Sequence, residues 1–339
     1  MLKGVIKEKF GIQVRQLSVY QTYECFQTPN SFFLIIPVSQ FSEAELTELY
    51  YMSQYLQEQS DPYVSVFIFT KDGELTFEHE GGKSYALLKA VPPVTNRSFS
   101  VGAELAEFHR KGRGFPYEVK DAGRIGQWKD LWGKRIDQLE AFWQQKIQMP
   151  PHEPFDKKMI ESFPYYLGLS ENAVQYLVDT ELDDKPQVTD SGTICHQRME
   201  RNTWSPESLI RIPADWVFDH AARDLAEYMR HTFLYHREDL LNQGFHFLQE
   251  YEQITPLSSF SKRLMYSRLL FPLHYFETVE GYYISSETEK HYYEENLDSI
   301  LADSGRYEQF LNIGEELMNM RSGEVFVPSV TWLGKGTVK

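Results

Sequence analysis

Hydrophobic and polar positions alternate in short runs over the first ninety residues, which predicts a strand-rich segment. Ser31 to Val38 is an aromatic and β-branched run ended by Pro37. Ser42 followed three residues later by Glu45 is a capping box ahead of the Leu46, Leu49 and Tyr50 face, so a helix is expected from Ser42 to Gln57. Tyr63 to Thr70 alternates, with Val64, Val66 and Ile68 on one side and Phe67 and Phe69 on the other. Lys71-Asp72-Gly73 is a tight-turn signal between that run and the alternating Glu74 to His79, so the two are expected to pair as a hairpin. Ser84 to Ala90 supplies a further strand.

Val91-Pro92-Pro93-Val94-Thr95-Asn96 is a stiff break. It divides the chain into a small lobe, residues 1–92, and a larger one, residues 96–339, where the apolar period changes to that of helices. Phe99 to Arg110 carries Val101, Leu105 and Phe108 on one side, and Trp128 to Lys146 carries a stripe from Leu131 and Trp132 to Phe142 and Trp143. Leu225, Met229 and Phe233 recur every fourth position from Ala222 to Phe233. Lys262 to Leu273 and Tyr307 to Met320 are further expected helices. The fold class is therefore α+β, with strand, helix, hairpin and strand in the order of a kinase small lobe.

Composition narrows the function. The 339 residues are 42% hydrophobic and 15% aromatic, ample for a large core. No apolar run reaches the length of a membrane span, and the N-terminus has neither the apolar core nor the cleavage site of a signal peptide. A net charge of −15 repels phosphate backbones, so neither nucleic acid nor an anionic membrane is an expected partner. The two cysteines, Cys25 and Cys195, lack CxxC spacing and read as reduced thiols of a protein made inside a cell.

The most informative stretch is Ile194-Cys195-His196-Gln197-Arg198-Met199-Glu200-Arg201-Asn202. It has the frame of a phosphotransferase catalytic loop, in which a His is followed two places on by an Asp and some five residues later by an Asn. That Asp accepts the proton of the attacking hydroxyl, and the Asn helps hold the phosphate-bridging metal. Here the Asp position is Arg198, a permanent cation that accepts no proton. His196, Gln197, Arg198 and Asn202 are thus degenerate catalytic-loop positions.

Downstream lies Ala214-Asp215-Trp216-Val217-Phe218-Asp219-His220, then Arg223-Asp224-Leu225-Ala226. Aminoglycoside- and choline-kinase-like enzymes have a metal-holding Asp after a strand at this place, then Asp-Leu-Ala opening a helix. Asp224 fits the structural anchor that secures the catalytic loop. Counting forward from the loop, past a strand at Leu209 to Ile212, makes Asp215 the weak candidate for metal binding; counting back from Asp224 lands near Arg211. The plainer reading is a solvated Asp215, with Asp219 as the N-cap of the following helix.

Other chemistry is thin. The expected third strand, within Ser31 to Gln40, has no Lys or Arg to hold phosphates, and Lys83 and Lys89 read as solvent-facing charges. There is no GxGxxG and no GxxxxGK[ST]; Lys111-Gly112-Arg113-Gly114 follows a helix and reads as its C-cap and turn. No HExxH and no GxSxG occurs, His231 and His236 are off a common helical face, and Cys195 beside His196 reads as a buried thiol. The 21 tyrosines include four doublets, which suit core edges or a surface that packs into a protein assembly.

Taken together, Ile194-Cys195-His196-Gln197-Arg198, Asn202-Thr203-Trp204, Asp215 to His220, Arg223 to Tyr228, Arg268 to Phe276 and Gly281-Tyr282-Tyr283 resemble the bacterial spore-coat family typified by CotS, most closely its YutH-type branch. The resemblance covers almost the whole chain. It implies a bilobal protein-kinase-like fold of the aminoglycoside-phosphotransferase type, with a small β-rich lobe and a large helical one. It also implies synthesis in the mother-cell cytoplasm, assembly onto the spore coat, and contacts with other coat proteins. The loss of the base at Arg198 implies a catalytically inactive member with no cofactor. The alternative is a divergent phosphotransferase or nucleotidyl-transferase that uses ATP and magnesium, with Asp215 and Asn202 on the metal and Glu200 as base.

Overall fold

The computed structural model describes residues 2–92, 99–149, 153–200, 203–204, 209–235, 240–319, 328 and 330. Two compact units are formed, one from Met1–Arg124, Gly192–Asp224 and His246–Thr255, the other from Ile125–Ser191, Leu225–Phe245 and Pro256–Lys339. The first unit runs through the Val91–Asn96 break, most of which lies outside the described residues, and gathers later segments of the chain.

The first unit opens with a helix, α1 (Leu2–Phe10), that the sequence reading missed. Six strands follow in one antiparallel sheet: β1 (Ser18–Tyr20), β2 (Tyr23–Thr28), β3 (Ser31–Pro37), β4 (Val66–Ile68), β5 (Thr76–His79) and β6 (Lys83–Ala90). Leu2 and Ile6 of α1 join Phe26, Phe33, Ile35, Phe77 and Leu87 in one apolar cluster, so α1 covers a face of this sheet. The helix α2 (Glu43–Glu58) lies between β3 and β4 in the chain and buries Leu46, Leu49, Met52 and Leu56. Ser42 caps it as its sequence predicts, its Oγ accepting from the Glu45 N–H at 3.1 Å.

The expected hairpin across Lys71-Asp72-Gly73 does not form a ladder. The turn is present, with the Thr70 N–H donating to the Glu74 carbonyl at 2.9 Å, but β4 and β5 both pair with β6, end to end along one edge. The observed hairpin joins β5 to β6 through Glu80, Gly81 and Gly82, all at positive φ. Eight-residue β6 offers a ladder long enough for both short strands, and its other edge takes β3, Phe32 to Pro37 against Ala90 to Tyr85. Lys83 and Lys89 are exposed on it, as expected.

Beyond the sheet, α3 (Val101–Gly112) buries Leu105 and Phe108 and ends in the Lys111–Gly114 turn. Its last residue is glycine for want of room: a Cβ at Gly112 would lie 2.5 Å from the Thr193 hydroxyl and 2.8 Å from the Ile194 nitrogen. That close approach seats β7 (Thr193–His196), which pairs antiparallel with β8 (Trp216–Asp219). The strand expected at Leu209 to Ile212 is reduced to a single parallel bridge between Arg211 and Val64, because Pro213 has no N–H and opens a short 3-10 turn to Asp215.

The second unit is helical. α4 (Trp128–Ile147) buries Trp128, Trp132, Ile136 and Leu139 but leaves Leu131 exposed, a narrower stripe than the periodicity suggests. The unpredicted α5 (Pro154–Asp183) runs for 30 residues through Pro164. Pro164 frees the Ile160 carbonyl of its helical donor, and the Trp143 indole N–H supplies another at 3.1 Å. After α6 (Ala222–Tyr235) and α7 (Leu240–Glu252), whose residues from His246 onward belong to the first unit, α8 (Ser259–Leu270) stops where one helix to Leu273 was expected. Pro272 drives the preceding Phe271 into extended backbone and then heads α9 (Leu273–Ile284). α10 (Lys290–Ala302) and α11 (Ser304–Asn319) complete the unit. Its Tyr165-Tyr166 and Tyr282-Tyr283 doublets sit at core edges, with Tyr165, Tyr282 and Tyr283 donating to Glu308, Glu153 and Asp156, while Tyr292 is exposed.

One buried group here makes stability depend on pH. His274 packs against Tyr307, and its Nδ1 has no hydrogen-bond partner among the described residues. Burial, reinforced by the Arg230 guanidinium and opposed by Glu227, pushes its imidazole down to about 3. An unfolded imidazole titrates near 6.5, so between about 6.5 and 3 the unfolded chain binds a proton that the folded one refuses. Stability therefore falls as the pH falls through that window. The His274→Phe variant is expected to gain about 2 kcal/mol over the natural chain at pH 5 relative to pH 7. Urea denaturation at the two pH values measures this, and equal acid sensitivity of both chains would refute it.

Candidate catalytic-loop site

The site is built on the β7–β8 pair, where His196 lies opposite Trp216. On its far edge, β8 is held by the loop before α4: the Phe218 N–H donates to the Ala122 carbonyl and the Arg124 N–H to the Phe218 carbonyl, both at 2.8 Å. Glu48 of α2 fixes that loop, its carboxylate accepting from the Lys120, Asp121 and Ala122 N–H groups at 2.7–3.0 Å. A short 3-10 turn (Pro213–Asp215) then delivers Asp215 immediately before β8, its carbonyl accepting from the Gln197 N–H at 2.7 Å.

Asp224 is wholly buried beneath the start of the loop. It accepts the His196 N–H at 2.9 Å, the His196 Nδ1–H at 2.7 Å and the His109 Nε2–H at 3.2 Å. Burial pushes its carboxyl up, but the His196 and His109 rings together outweigh burial and hold it below the usual carboxylate range. With Nε2 donating, His109 Nδ1 is left to accept from the Tyr251 hydroxyl at 2.8 Å. Burial lowers the His109 imidazole to about 4 against the pull of Asp224, so the ring is neutral at pH 7.

Arg223 clamps the same turn from outside, donating to the His196 carbonyl at 2.9 Å, the Gln197 carbonyl at 3.1 Å and Asp219 at 2.9 Å. Asp219 is therefore not the N-cap expected for α6. The His220 Nδ1 instead accepts from the Ala222 N–H at 3.0 Å, and the Asp219 carboxylate accepts from the His220 N–H and from Arg223. The Cys195 thiol is buried and points at the Asp219 and His220 carbonyls. Burial, with Asp224 and Asp219 nearby, raises its pKa far above that of a free thiol, so it is no nucleophile at neutral pH. His109, Cys195 and Asp224 lie close enough to share a cation, yet each already has a hydrogen-bond partner.

Arg198 is exposed and donates to the Gln197 carbonyl at 2.9 Å. Glu200 is exposed, and its N–H is held by the Thr203 hydroxyl. Asn202 lies outside the described residues. Asp215 is not the solvated carboxylate of the plainer reading: its Oδ1 accepts from the Tyr23 hydroxyl at 2.9 Å. Burial raises its carboxyl, opposed by the Tyr23 bond, and the phenol is pushed up in turn, by burial first and then by Asp215. Tyr23 begins β2, and Tyr20, at the other end of the same tight turn, accepts from the Ile210 N–H at 3.4 Å. Two tyrosines thus pin the β1–β2 hairpin onto the segment around Asp215.

Arg211 also has a role that spacing concealed. Its guanidinium is buried, pairs with Asp61 and Glu104, and stacks over Trp204 at 4.4 Å and Phe108 at 5.2 Å. Phe108 and Trp204 in turn flank the His196 ring at 5.3 and 5.0 Å. What surrounds His196 is packed aromatic side chains.

The family model described as "Spore coat putative kinase YutH" matches residues 3–313. The chain belongs to the YutH spore-coat family. "Endospore coat-associated protein YutH" of Bacillus subtilis (strain 168) is 83% identical over 338 residues, 99% of each chain. Among solved structures, an aminoglycoside phosphotransferase from Alicyclobacillus acidocaldarius is similar with a TM-score of 0.66 at 15% identity, covering 90% of this chain and 92% of that one. Spectinomycin phosphotransferase, solved with ADP and spectinomycin, gives 0.56 at 12% identity over 93% and 97%. The YutH-family chain therefore has the kinase-like α+β fold of these phosphotransferases, as its motifs implied. No helix among the described residues is long and apolar enough to cross a membrane.

Proposed function

We propose that the chain is an endospore-coat-associated protein that has kept the phosphotransferase frame without phosphoryl transfer and works through contacts with other coat proteins. The 83% identity to the Bacillus subtilis protein over 99% of the chain supports the coat association. Synthesis in the mother-cell cytoplasm before assembly onto the coat belongs to the same reading.

The observation that carries the loss of catalysis is the Tyr23 hydroxyl on Asp215. The carboxylate best placed to hold a metal is already engaged by the Tyr23 hydroxyl, and burial raises its pKa. Arg198 stands where a base is needed, and β3, Ser31-Phe32-Phe33-Leu34-Ile35-Ile36-Pro37, carries no cation for phosphates. Electrostatic stabilisation of the transferring group is the largest share of what such enzymes supply. The described residues therefore do not fit a nucleotide-metal site, and no cofactor is assigned. The second reading, a divergent transferase using ATP and magnesium, is favoured by one observation: Asp215 stands directly before β8 and beside Gln197. Its base would be the exposed Glu200.

Titration with Mg-ATP followed by thermal melting separates the two. Neither the natural chain nor Tyr23→Phe, which removes the hydroxyl from Asp215, is expected to be stabilised saturably. A hundredfold excess of ATP over its Kd would add about 2.7 kcal/mol, several degrees in melting temperature. Such a rise in the natural chain would overturn the inert-frame reading. A rise in Tyr23→Phe alone would show a nucleotide site that the phenol keeps shut.

A further inference from the structure

Away from the catalytic-loop site, α2, β5 and the turn after β4 enclose a groove of about 490 Å³. Leu46 and Val38 are buried at its floor, while Tyr50, Tyr51 and Phe69 form an aromatic wall. The wall continues as a ridge of rings in contact: Phe69 to Tyr50 at 5.2 Å, Tyr50 to Tyr51 at 5.3 Å and Tyr51 to Tyr117 at 5.5 Å. Three of these rings remain substantially exposed, Tyr51 at 46%, Phe69 at 43% and Tyr117 at 59%. Scattered exposed aromatics are ordinary, but a contiguous ridge beside a groove is the composition of an interface.

The charge around it is one-sided. Glu43, in the first turn of α2, and Glu74, in the turn before β5, line the groove, and among the described residues no Lys, Arg or His does. Neither carboxylate forms an ion pair among the described residues. Lys71, three residues before Glu74, spends its ammonium on the Glu8 carbonyl at 2.7 Å.

Resting on the scaffold reading above, we propose that this groove docks a segment of another protein in which aromatic side chains are flanked by lysine or arginine. The volume admits more than one aromatic side chain, the ridge stacks further rings, and Glu43 and Glu74 meet the flanking cations at the rim.

The probe is a fluorescein-labelled nonapeptide with two phenylalanines separated and flanked by lysines, followed by fluorescence anisotropy at low salt with the full chain. Saturable binding is expected, weakened at least about tenfold by Phe69→Ala, the loss typical of a truncated aromatic hot spot. The same loss is expected from Glu43→Lys combined with Glu74→Lys, and from replacing the peptide's lysines by glutamates. All three protein positions are exposed, so unchanged melting curves verify that the variants fold. Absence of saturable binding, or binding indifferent to both sets of variants or to the peptide's charge, would overturn the proposal. So would a dimer in analytical ultracentrifugation that Phe69→Ala dissolves, which would assign the ridge to self-association. The Mg-ATP titration reads a different part of the molecule, so failure here leaves the inert-frame reading to that experiment.

Discussion

Replacing Asp224 by alanine is expected to remove about 3–5 kcal/mol of stability, a large part of what a domain of this kind possesses. The carboxylate satisfies the His196 backbone N–H, the His196 ring and the His109 ring, all of them buried. Without it, those donors lose their partner in a place water does not reach, and each unmatched group costs its desolvation in full. The asparagine variant keeps one oxygen as acceptor but turns an NH2 group toward donors, so its loss should be smaller yet still clear. Because the folded carboxyl is held low, its contribution is fully present above the ordinary carboxylate value near 4 and is lost only as the pH falls below it. Guanidinium denaturation followed by tryptophan fluorescence at pH 7 measures the effect. A loss under about 1 kcal/mol would mean that Asp224 does not anchor the loop.

Arg211→Leu is expected to cost a similar amount, about 3–5 kcal/mol, for the opposite reason. Here a cation is removed and two carboxylates, Asp61 and Glu104, stay behind in a largely buried setting. Lys111, 3.4 Å from Asp61, offers only a partial substitute. The aromatic faces of Trp204 and Phe108 lose the stacked guanidinium as well. Adding Asp61→Asn and Glu104→Gln to Arg211→Leu should therefore recover stability rather than lose more, since the stranded charges go with the same step. Denaturation of the single and triple variants tests this coupling; strict additivity of the losses would refute it.

How far the chain could be read from its residues follows from the range of the contacts involved. Ser42 and Glu45 are three residues apart, so the α2 cap was legible. Leu225, Met229 and Phe233 share a face at helical spacing, and all three are buried. The hairpin at Lys71-Asp72-Gly73 was misplaced because its turn signal is real, yet the competing edge of β6 takes both flanking strands. α5 was not predicted; Pro164 lies within it, and the indole of Trp143, 17 residues before Ile160, supplies a donor to the carbonyl that the proline frees. At the site, His196, Gln197, Arg198 and Asp224 were picked out by their likeness to the catalytic loop and the Asp-Leu-Ala element of phosphotransferases. Tyr23, His109, Tyr251 and the pairing role of Arg211 were not, since they join the site from segments far away in sequence. A tyrosine-rich composition was the one available signal, and it pointed to no position.

Chemical capacity is carried by the residues themselves, and in that respect the sequence was sufficient. A guanidinium at Arg198 accepts no proton in any fold, and a β3 without lysine offers no cation to a phosphate. The tertiary structure decided what became of the acids that remained. It set a phenol 192 positions away onto Asp215, enclosed Asp224 between two imidazoles, and left a ridge of aromatic rings uncovered beside two carboxylates. Ionisation and accessibility depend on burial and on neighbours brought together by folding, and linear order does not contain those distances.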